Sequence, residues 1–366
     1  MRRSRWSHWF ACGLIVAAGC RGKTNVDRTP LRSAVLRGDA MGTTWTVRFA
    51  RPLAENEAAD YQRGVAAELE GVEAEMSHWR HDSALSQLNR SAAKNPFPVS
   101  PALATVLAEA CAISDLTGGA LDVTVSPLVA LWGFGPQATE RGKPTDAQIA
   151  AALAHVGSDK FALEFDEAPN GKGDAQCSQP QVQKLDPLVC FDLSSLAKGY
   201  AIDRVAEYLD QRGCDNYLIE LGGELRARGR SDSGRPWRAG LEAPDRQVAG
   251  RVRRKLALTD AAIATSGSYR QFRVASRDRQ AIHSHLIDPR SGRPCAHALV
   301  SVSVIADSAM RADALATALF VLGPREGLAL AEREGIAATF VEQSDGPFVE
   351  RQSSSFPANS AMGNAP

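Results

Sequence analysis

The sequence predicts an α+β fold, with antiparallel sheets packed against helices. Strand-like runs mostly adjoin other strand-like runs, and the helical periodicities cluster between those blocks. No short-period repeat marks a solenoid. The chain has 366 residues, 44% hydrophobic and 23% charged, enough for one large globular domain or two ordinary ones. Its formal net charge is +0, and no basic patch with interleaved aromatics points to a nucleic-acid partner.

The elements follow in order. Arg2, Arg3 and Arg5 precede a short apolar stretch, residues 11–18, that ends in Ala-Gly-Cys at Cys20. This is the pattern of a signal peptide over residues 1–19, too short to span a bilayer. The small residues before Cys20 are similar to a bacterial lipobox, with Ala17 where leucine is usual. The expectation is an exported protein, lipidated at Cys20 and tethered to a membrane by residues 20–37. An ordinary signal peptide and an uncleaved anchor are the alternatives.

Residues 38–50 alternate enough for a strand, and Val65, Leu69, Val72 and Met76 mark a helix. Residues 76–91 read as a loop and a short helix. Pro101 opens a further helix with Leu103, Val106, Leu107 and Ala110 inward. A turn, a short apolar run and a Gly/Pro-rich loop fill 117–136. A weak helix covers 145–156, and the polar segment 170–187 reads as a surface insertion.

Residues 192–209 (DLSSLAKGYAIDRVAEYL) form the central stretch. Ile202, Val205, Ala206 and Leu209 make one apolar helix stripe. Ser194 or Ser195 is a natural N-cap, with Lys198 and Gly199 inside the first turn. Helix-start amides, a serine hydroxyl and a lysine together suit a phosphate. No Gly-rich lead-in makes this a Walker loop, and a plain capped helix is the alternative.

Beyond it, 216–229 reads as two strands joined at Gly222-Gly223, with further strands at 237–242 and 251–258. A buried strand opens 262–272. Residues 283–294 are a strand and a turn, and 299–323 a strand and a helix. The domain is expected to span 38–345, leaving 346–366 as a disordered tail of low hydrophobicity.

Of the seven cysteines, none lies in a CxxC or zinc spacing. Cys177 and Cys190 flank the polar segment and are either a pair or buried thiols.

Five separated segments carry polar residues that a plain core does not need. Asp122 interrupts an apolar run, and Asp192 ends one; each is a ligand group or a turn cap. Thr265-Ser266-Gly267 is a site or an ordinary turn. His285 is a working or a structural histidine. Asp313 and Thr317, four apart on a helix, share a face. They are two oxygen ligands for a hard cation or an exposed pair.

The order of these motifs resembles the FAD:protein FMN transferase (ApbE) family. The matching segments are MGTTW at 41–45, the 76–89 stretch, GGALDVTVSPLVALWGFGP, DLSSLAKGYAID, ELGGELRARG, ATSGSYR, SHLIDPRSGRP and ADALATALFVLG. The resemblance covers about residues 38 to 342. It implies an ApbE-like α+β fold and an exported, lipid-anchored, Mg²⁺-dependent enzyme. Such an enzyme takes FAD as substrate, transfers FMN to a Ser or Thr hydroxyl of a target protein, and releases AMP. The implied target is a flavin-carrying subunit of a membrane redox complex, modified within a motif like D-x-x-[S/T]-G-A-[S/T].

Residue by residue, the resemblance places Met41, Trp79, Ala120, Leu121, Asp122, Asp192, Lys198 and Ile287 at FAD. It places Ser195, Asp313 and Thr317 at Mg²⁺, and makes His285 the histidine of transfer. The chain departs from the family at Trp79 (commonly tyrosine), Leu121 (phenylalanine), Val123 (proline) and Ser268 (aspartate). The chemistry suits these residue types. Diphosphate cleavage needs positioning and charge neutralisation, which a cation on the phosphate oxygens supplies. A weakly nucleophilic hydroxyl needs a base such as His285. The rival readings are an FAD pyrophosphatase on the same scaffold and a non-catalytic, lipid-anchored flavin-binding protein.

Overall fold

The computed structural model describes residues 33–358, apart from 93–94, 137, 139–142, 165–178, 245–249, 269–271, 275–281 and 345. The expected signal peptide, Cys20 and Cys177 lie outside the described residues.

The first strands, β1 (Val35–Ala40) and β2 (Thr43–Phe49), form a hairpin with Ala40 opposite Thr43. Its turn residues Met41 and Gly42 have φ of 51° and 71°, the positive pair that a two-residue type I′ turn requires. The expected single strand over 38–50 conceals this turn because methionine is no turn former. Residues 35–37, expected as part of a tether, belong to β1.

Helix α1 (Glu55–Met76) buries Val65, Leu69, Val72 and Met76 at the expected spacing. Ser83 caps α2 (Ala84–Arg90). The short strand β3 (Phe97–Pro98) leads to α3 (Pro101–Thr117), capped by Ser100 with Pro101 in its first turn. Two short helices follow, α4 (Ser126–Leu131) and α5 (Asp146–Leu153), the second with a Thr145–Gln148 capping box. Then β4 (Phe161–Glu164) and β5 (Gln181–Lys184) join β3 in a small sheet of order β3-β5-β4.

Part of the expected surface insertion is therefore a buried strand. Val182 and Lys184 are both inside. The Lys184 ammonium donates to Asn89 O at 3.1 Å and Ser91 O at 3.2 Å, at the C-terminal end of α2. A cation is favourable there, which is how a lysine comes to sit inside.

After α6 (Ala197–Asp210) come β6 (Tyr217–Leu221), β7 (Glu224–Arg228), β8 (Trp237–Glu242), β9 (Val252–Leu258) and β10 (Ala261–Gly267). Two small hairpins follow, β11 (Phe272–Val274) with β12 (Ile282–Ser284), and β13 (Ile287–Asp288) with β14 (Arg293–Pro294). The chain closes with β15 (Leu299–Ala306), α7 (Ala309–Arg333), β16 (Ala337–Glu342) and β17 (Val349–Gln352).

The main sheet is antiparallel throughout, in the order β1-β2-β6-β7-β10-β15-β16-β17. Period-two alternation divides its strands between two cores. Tyr217, Ile219 and Leu221 of β6 face the large core that holds residues of α1, α3, α6 and α7. Leu218, Leu225 and Ala227 face a second core with Trp237, Leu241, Leu256 and Leu258 of the β8–β9 hairpin. Helix α7 is long and apolar enough to cross a membrane, but most of its apolar stretch is buried within this fold. It breaks at Gly323 (φ 82°, ψ −178°), just before Pro324.

The expected disordered tail is corrected over 349–356. β17 pairs with β16 and completes the sheet, and Phe356 is buried in the second core. Arg254 holds this segment, donating to Glu350 Oε1 at 3.1 Å, Gln352 Oε1 at 2.8 Å and Pro357 O at 2.5 Å. A polar segment orders here because one buried guanidinium uses several of its donors on it.

Candidate active site

Two sheet turns and two helix starts meet at one end of the main sheet. The Gly222 N–H donates to Thr44 O at 3.1 Å, which sets the Gly222–Gly223 turn beside the Met41–Gly42 turn. The N–H of Met41, in its left-handed conformation, donates to Glu73 of α1. β10 pairs with β7 only as far as Ile263, so its Thr265–Gly267 end runs on beside β15 alone.

The first turns of α6 and α7 touch. A Cβ on Gly199 would stand 2.3 Å from Ala309 O, so only glycine permits this approach. Asp203 of α6 accepts the N–H groups of Ala309 and Met310 at 2.9 Å each, and Ser308 accepts that of Arg311 at 3.2 Å. Those first-turn N–H groups would otherwise lack partners. Along β7, the helix-facing residues Glu224, Arg226 and Arg228 pair with Lys198, Asp203 and Asp210 of α6.

The expected serine cap of α6 is not what forms. The cap position is Leu196, with no side-chain cap. Ser194 instead gives its N–H and its hydroxyl to Asp192 Oδ1, at 2.9 and 2.6 Å. The Gly199 N–H, inside the first turn, donates to Asp313 Oδ2 at 3.3 Å. An aspartate from the crossing helix thus takes one of the amide contacts expected of a cap or phosphate.

Lys198, Asp313 and Thr317 are brought together. The Lys198 ammonium lies 3.1 Å from Glu224 Oε1 and 3.4 Å from Asp313 Oδ2. Asp313 is 3% exposed, which removes the exposed-pair reading. Thr317, one turn further on, has its hydroxyl 2.8 Å from that of Ser266 in β10. The Thr265–Ser266–Gly267 stretch is strand, not turn. Burial raises the pKa of Asp313, and Lys198 and the Gly199 N–H pull it back only in part. Burial raises Glu224 as well, Lys198 opposing and Asp313 adding to it. For Lys198, burial lowers the pKa but the two carboxylates outweigh it, so the ammonium is firmly charged.

This donor set fits Mg²⁺. It is oxygen only, with one carboxylate and hydroxyls on helix and strand, and Mg²⁺ takes few carboxylates and completes its shell from phosphates and water. Among the described residues, the Lys198 and Gly199 donors to Asp313 both fall on Oδ2, and Oδ1 could take a cation. Among the described residues, no group of three His, Cys, Asp or Glu forms a softer metal site. Ser195 lies half-buried in the turn before α6.

Of the residues placed at FAD, Asp192 and the segment 120–122 gather around that same turn, with Trp79 next to His78, while Met41 sits on the β1–β2 turn and Ile287 elsewhere. Asp192 N–H donates to Val123 O at 2.7 Å, tying in the Ala120–Asp122 segment. Asn89 of α2 brackets Phe191, donating to its O at 2.9 Å and accepting its N–H at 2.7 Å. His78 Nδ1 stands 3.2 Å from Asp192 Oδ1, and the neighbouring Trp79 is 60% exposed. Burial opposes both charges of the His78–Asp192 pair. Their mutual attraction outweighs it, raising His78 and, with the Ser194 bonds, lowering Asp192.

Asp122 is a turn carboxylate here. Its Oδ1 accepts the Thr124 N–H at 2.8 Å and hydroxyl at 2.5 Å. The side chains of Ala120 and Leu121 are buried. That of Ile287 packs with Leu128, Trp132 and Ile149 in a small separate cluster. His285, half-buried on the loop after β12, meets the Phe134 ring edge-on at 6.4 Å.

Sequence reasoning singles out neither His78 nor Asn89 among the candidate site residues, and Glu224 carries one usable signal. With Leu225 and Ala227 on one face of β7, alternation places Glu224 on the helix face.

Known proteins match this chain in sequence and in fold. The family model described as the ApbE family matches residues 41–340. The FAD:protein FMN transferase of Vibrio cholerae is 38% identical over 343 residues, covering 94% of this chain and 95% of that protein. The one from Escherichia coli K12 is 37% identical over 322 residues, 85% of this chain and 87% of its own. Among solved structures, the flavin transferase ApbE of Vibrio cholerae superposes with a TM-score of 0.78 at 37% identity, covering 89% of this chain and 99% of that one. The apo flavinyl transferase ApbE of Pseudomonas stutzeri does so with 0.75 at 36%, covering 88% and 95%. Matched over nearly all of its described length in sequence and in fold, the chain belongs to the ApbE family.

Proposed function

We propose that this chain, an FAD:protein FMN transferase, works with Mg²⁺ and uses Lys198, Asp313, Thr317 and His285 in the roles below. The observation that carries the reading is the part-buried Lys198–Asp313 contact beside the Thr317–Ser266 pair. A lysine, an unshared carboxylate oxygen and hydroxyls converge where two helix starts meet, which suits a metal-bound diphosphate.

A hydroxyl of the target attacks the phosphorus on the FMN side of the diphosphate. A phosphoester bond forms, the P–O bond to AMP breaks, and AMP leaves with that oxygen. Lys198 and the amides of the α6 turn hold phosphate oxygens. His285 takes the proton from the attacking hydroxyl. Trp79 offers an exposed aromatic face to a flavin or adenine ring. Asp313 and Thr317, with Ser195, would hold Mg²⁺, which when bound neutralises phosphate charge.

The test is a Mg²⁺ titration of transfer by Asp313→Asn and Thr317→Ala. Asp313→Asn is expected to abolish Mg²⁺-dependent transfer nearly completely, because Asp313 is the only anion of the set. Thr317→Ala should be milder and partly rescued by excess Mg²⁺. A wild-type rate and half-saturating Mg²⁺ in Asp313→Asn would rule out the metal assignment.

The export pattern supports a periplasmic or cell-surface location through lipid on Cys20, facing a membrane redox complex that carries the acceptor. More than one acyl chain is needed for stable anchoring. Correctly processed Cys20→Ser should leave the membrane fraction; unchanged partitioning rules out the anchor.

A further inference from the structure

We infer that Glu224 is a positioning residue that holds the Lys198 ammonium off Asp313, keeping the aspartate open to its cation and the lysine open to phosphate. This rests on the roles just given to Lys198 and Asp313.

Glu224 opens β7, directly after the Gly222–Gly223 turn. It is 5% exposed, and its Oε2 has no hydrogen-bond partner among the described residues. The Gly222 turn lies against it; a Cβ on Gly222 would stand 3.5 Å from Oε2. A hairpin strand needs no glutamate at its first position, where β propensity disfavours one. A buried carboxylate with a bare oxygen is costly. Its one strong contact is Oε1 to Lys198 Nζ at 3.1 Å, shorter than the 3.4 Å from Nζ to Asp313.

The charges explain the arrangement. Two carboxylates share one ammonium, so the triad carries a net negative charge when all three are ionised. Without Glu224, Lys198 has one carboxylate left to pair with. Its ammonium then closes on Asp313, which already accepts the Gly199 N–H. That full ion pair competes with any cation for Asp313 and withdraws Lys198 from the diphosphate. With Glu224 present, the ammonium is held from the far side. It can move to a phosphate oxygen without losing its anchor.

Four chains separate this from a structural role: Glu224→Gln, which keeps shape and loses charge; Glu224→Asp, which keeps charge and loses shape; Lys198→Met; and Lys198→Met with Glu224→Gln. Mg²⁺ is titrated calorimetrically into each metal-free protein, and melting temperature and transfer kinetics are measured alongside. Glu224→Gln is expected to weaken Mg²⁺ binding about tenfold, the usual size of coupling between contacting residues. Half-saturating Mg²⁺ rises equally, and the KM for FAD rises with it, because Lys198 is drawn from the diphosphate onto Asp313. Glu224→Asp should bind Mg²⁺ more like wild type than Glu224→Gln does. In the Lys198→Met background the Glu224→Gln effect should shrink to less than about threefold.

Equal losses in both backgrounds would overturn the inference, because Glu224 would then act directly. So would unchanged Mg²⁺ binding in Glu224→Gln, or a ranking in which Gln outperforms Asp. Wild-type transfer by Lys198→Met is a separate failure. It removes the role of Lys198 itself, and Glu224 then has nothing to position.

Discussion

Gly199→Ala perturbs the joint on which the site is built. The added Cβ would lie 2.3 Å from Ala309 O, 2.6 Å from Ala309 C and 2.6 Å from Met310 Cα. All three are backbone atoms of the first turn of α7, so no rotamer change relieves the contact. The helices must part by about 1 Å to reach ordinary van der Waals distance. That turn is held by two hydrogen bonds to Asp203 and by the buried residues of α7 behind it. Overpacking of this kind costs ~3 kcal/mol at the upper end of its usual range. Alanine returns ~1 kcal/mol through its better helix propensity. The net is a destabilisation of about 2 kcal/mol, or roughly 4 °C in melting temperature for a domain of this size. Transfer should fall further than stability does, because the same displacement moves Lys198 and the Gly199 N–H relative to Asp313. Calorimetric melting and steady-state transfer measure both. A melting temperature equal to or above wild type, with unchanged transfer, would refute the close-approach argument.

His285→Ala should lower transfer by about 10²–10⁴-fold, the span of general-base contributions, while FAD binding by fluorescence is retained; wild-type turnover would reject the role. The His78–Asp192 pair should give stability a pH signature. His78 is raised in the fold, so its contribution is complete below its ordinary pKa of 6.5 and is lost as pH rises through the folded value. Asp192 is lowered, so its contribution is complete above its ordinary 3.8 and is lost as pH falls through the folded value. The pair therefore stabilises most between those two ordinary values, and His78→Gln should flatten the decline above pH 6.5; equal slopes would remove the pair from the account. Phe356→Ala should cost about 3 kcal/mol, since the ring is 3% exposed in the second core and lies 5.0 Å from the Arg254 guanidinium. No loss in a denaturant titration would mean that the C-terminal segment does not hold the sheet.

Helices and their inward faces were legible because period and caps act locally. Val65, Leu69, Val72 and Met76 all point inward, and Pro101 with Ser100 starts α3 where expected. Hairpins were legible where glycine marked the turn, as at Gly222–Gly223, and hidden where Met41 takes a left-handed φ. Lys184 and residues 349–356 read as surface because their burial depends on distant partners, the end of α2 and Arg254. In the candidate site, the shared helix face of Asp313 and Thr317 was legible from their four-residue spacing. Lys198 was legible from its place in a helix start. The contacts of Glu224, His78 and Asn89 were not, because each is made with a residue far away in sequence. Asp122 and Ile287 show the converse. Their motifs match the family, while their side chains are engaged in a turn and in packing.

The most direct test of the central claim is peptide mass spectrometry of a candidate target subunit. The subunit should carry an acceptor motif like D-x-x-[S/T]-G-A-[S/T] and be incubated with this chain, FAD and Mg²⁺. The expected result is one FMN, as a phosphoester on the motif's Ser or Thr, with one AMP released per modified target. Steady release of FMN and AMP with the target unmodified would contradict it and indicate a pyrophosphatase. Stoichiometric retention of FAD without AMP would contradict it too and indicate a flavin-binding protein.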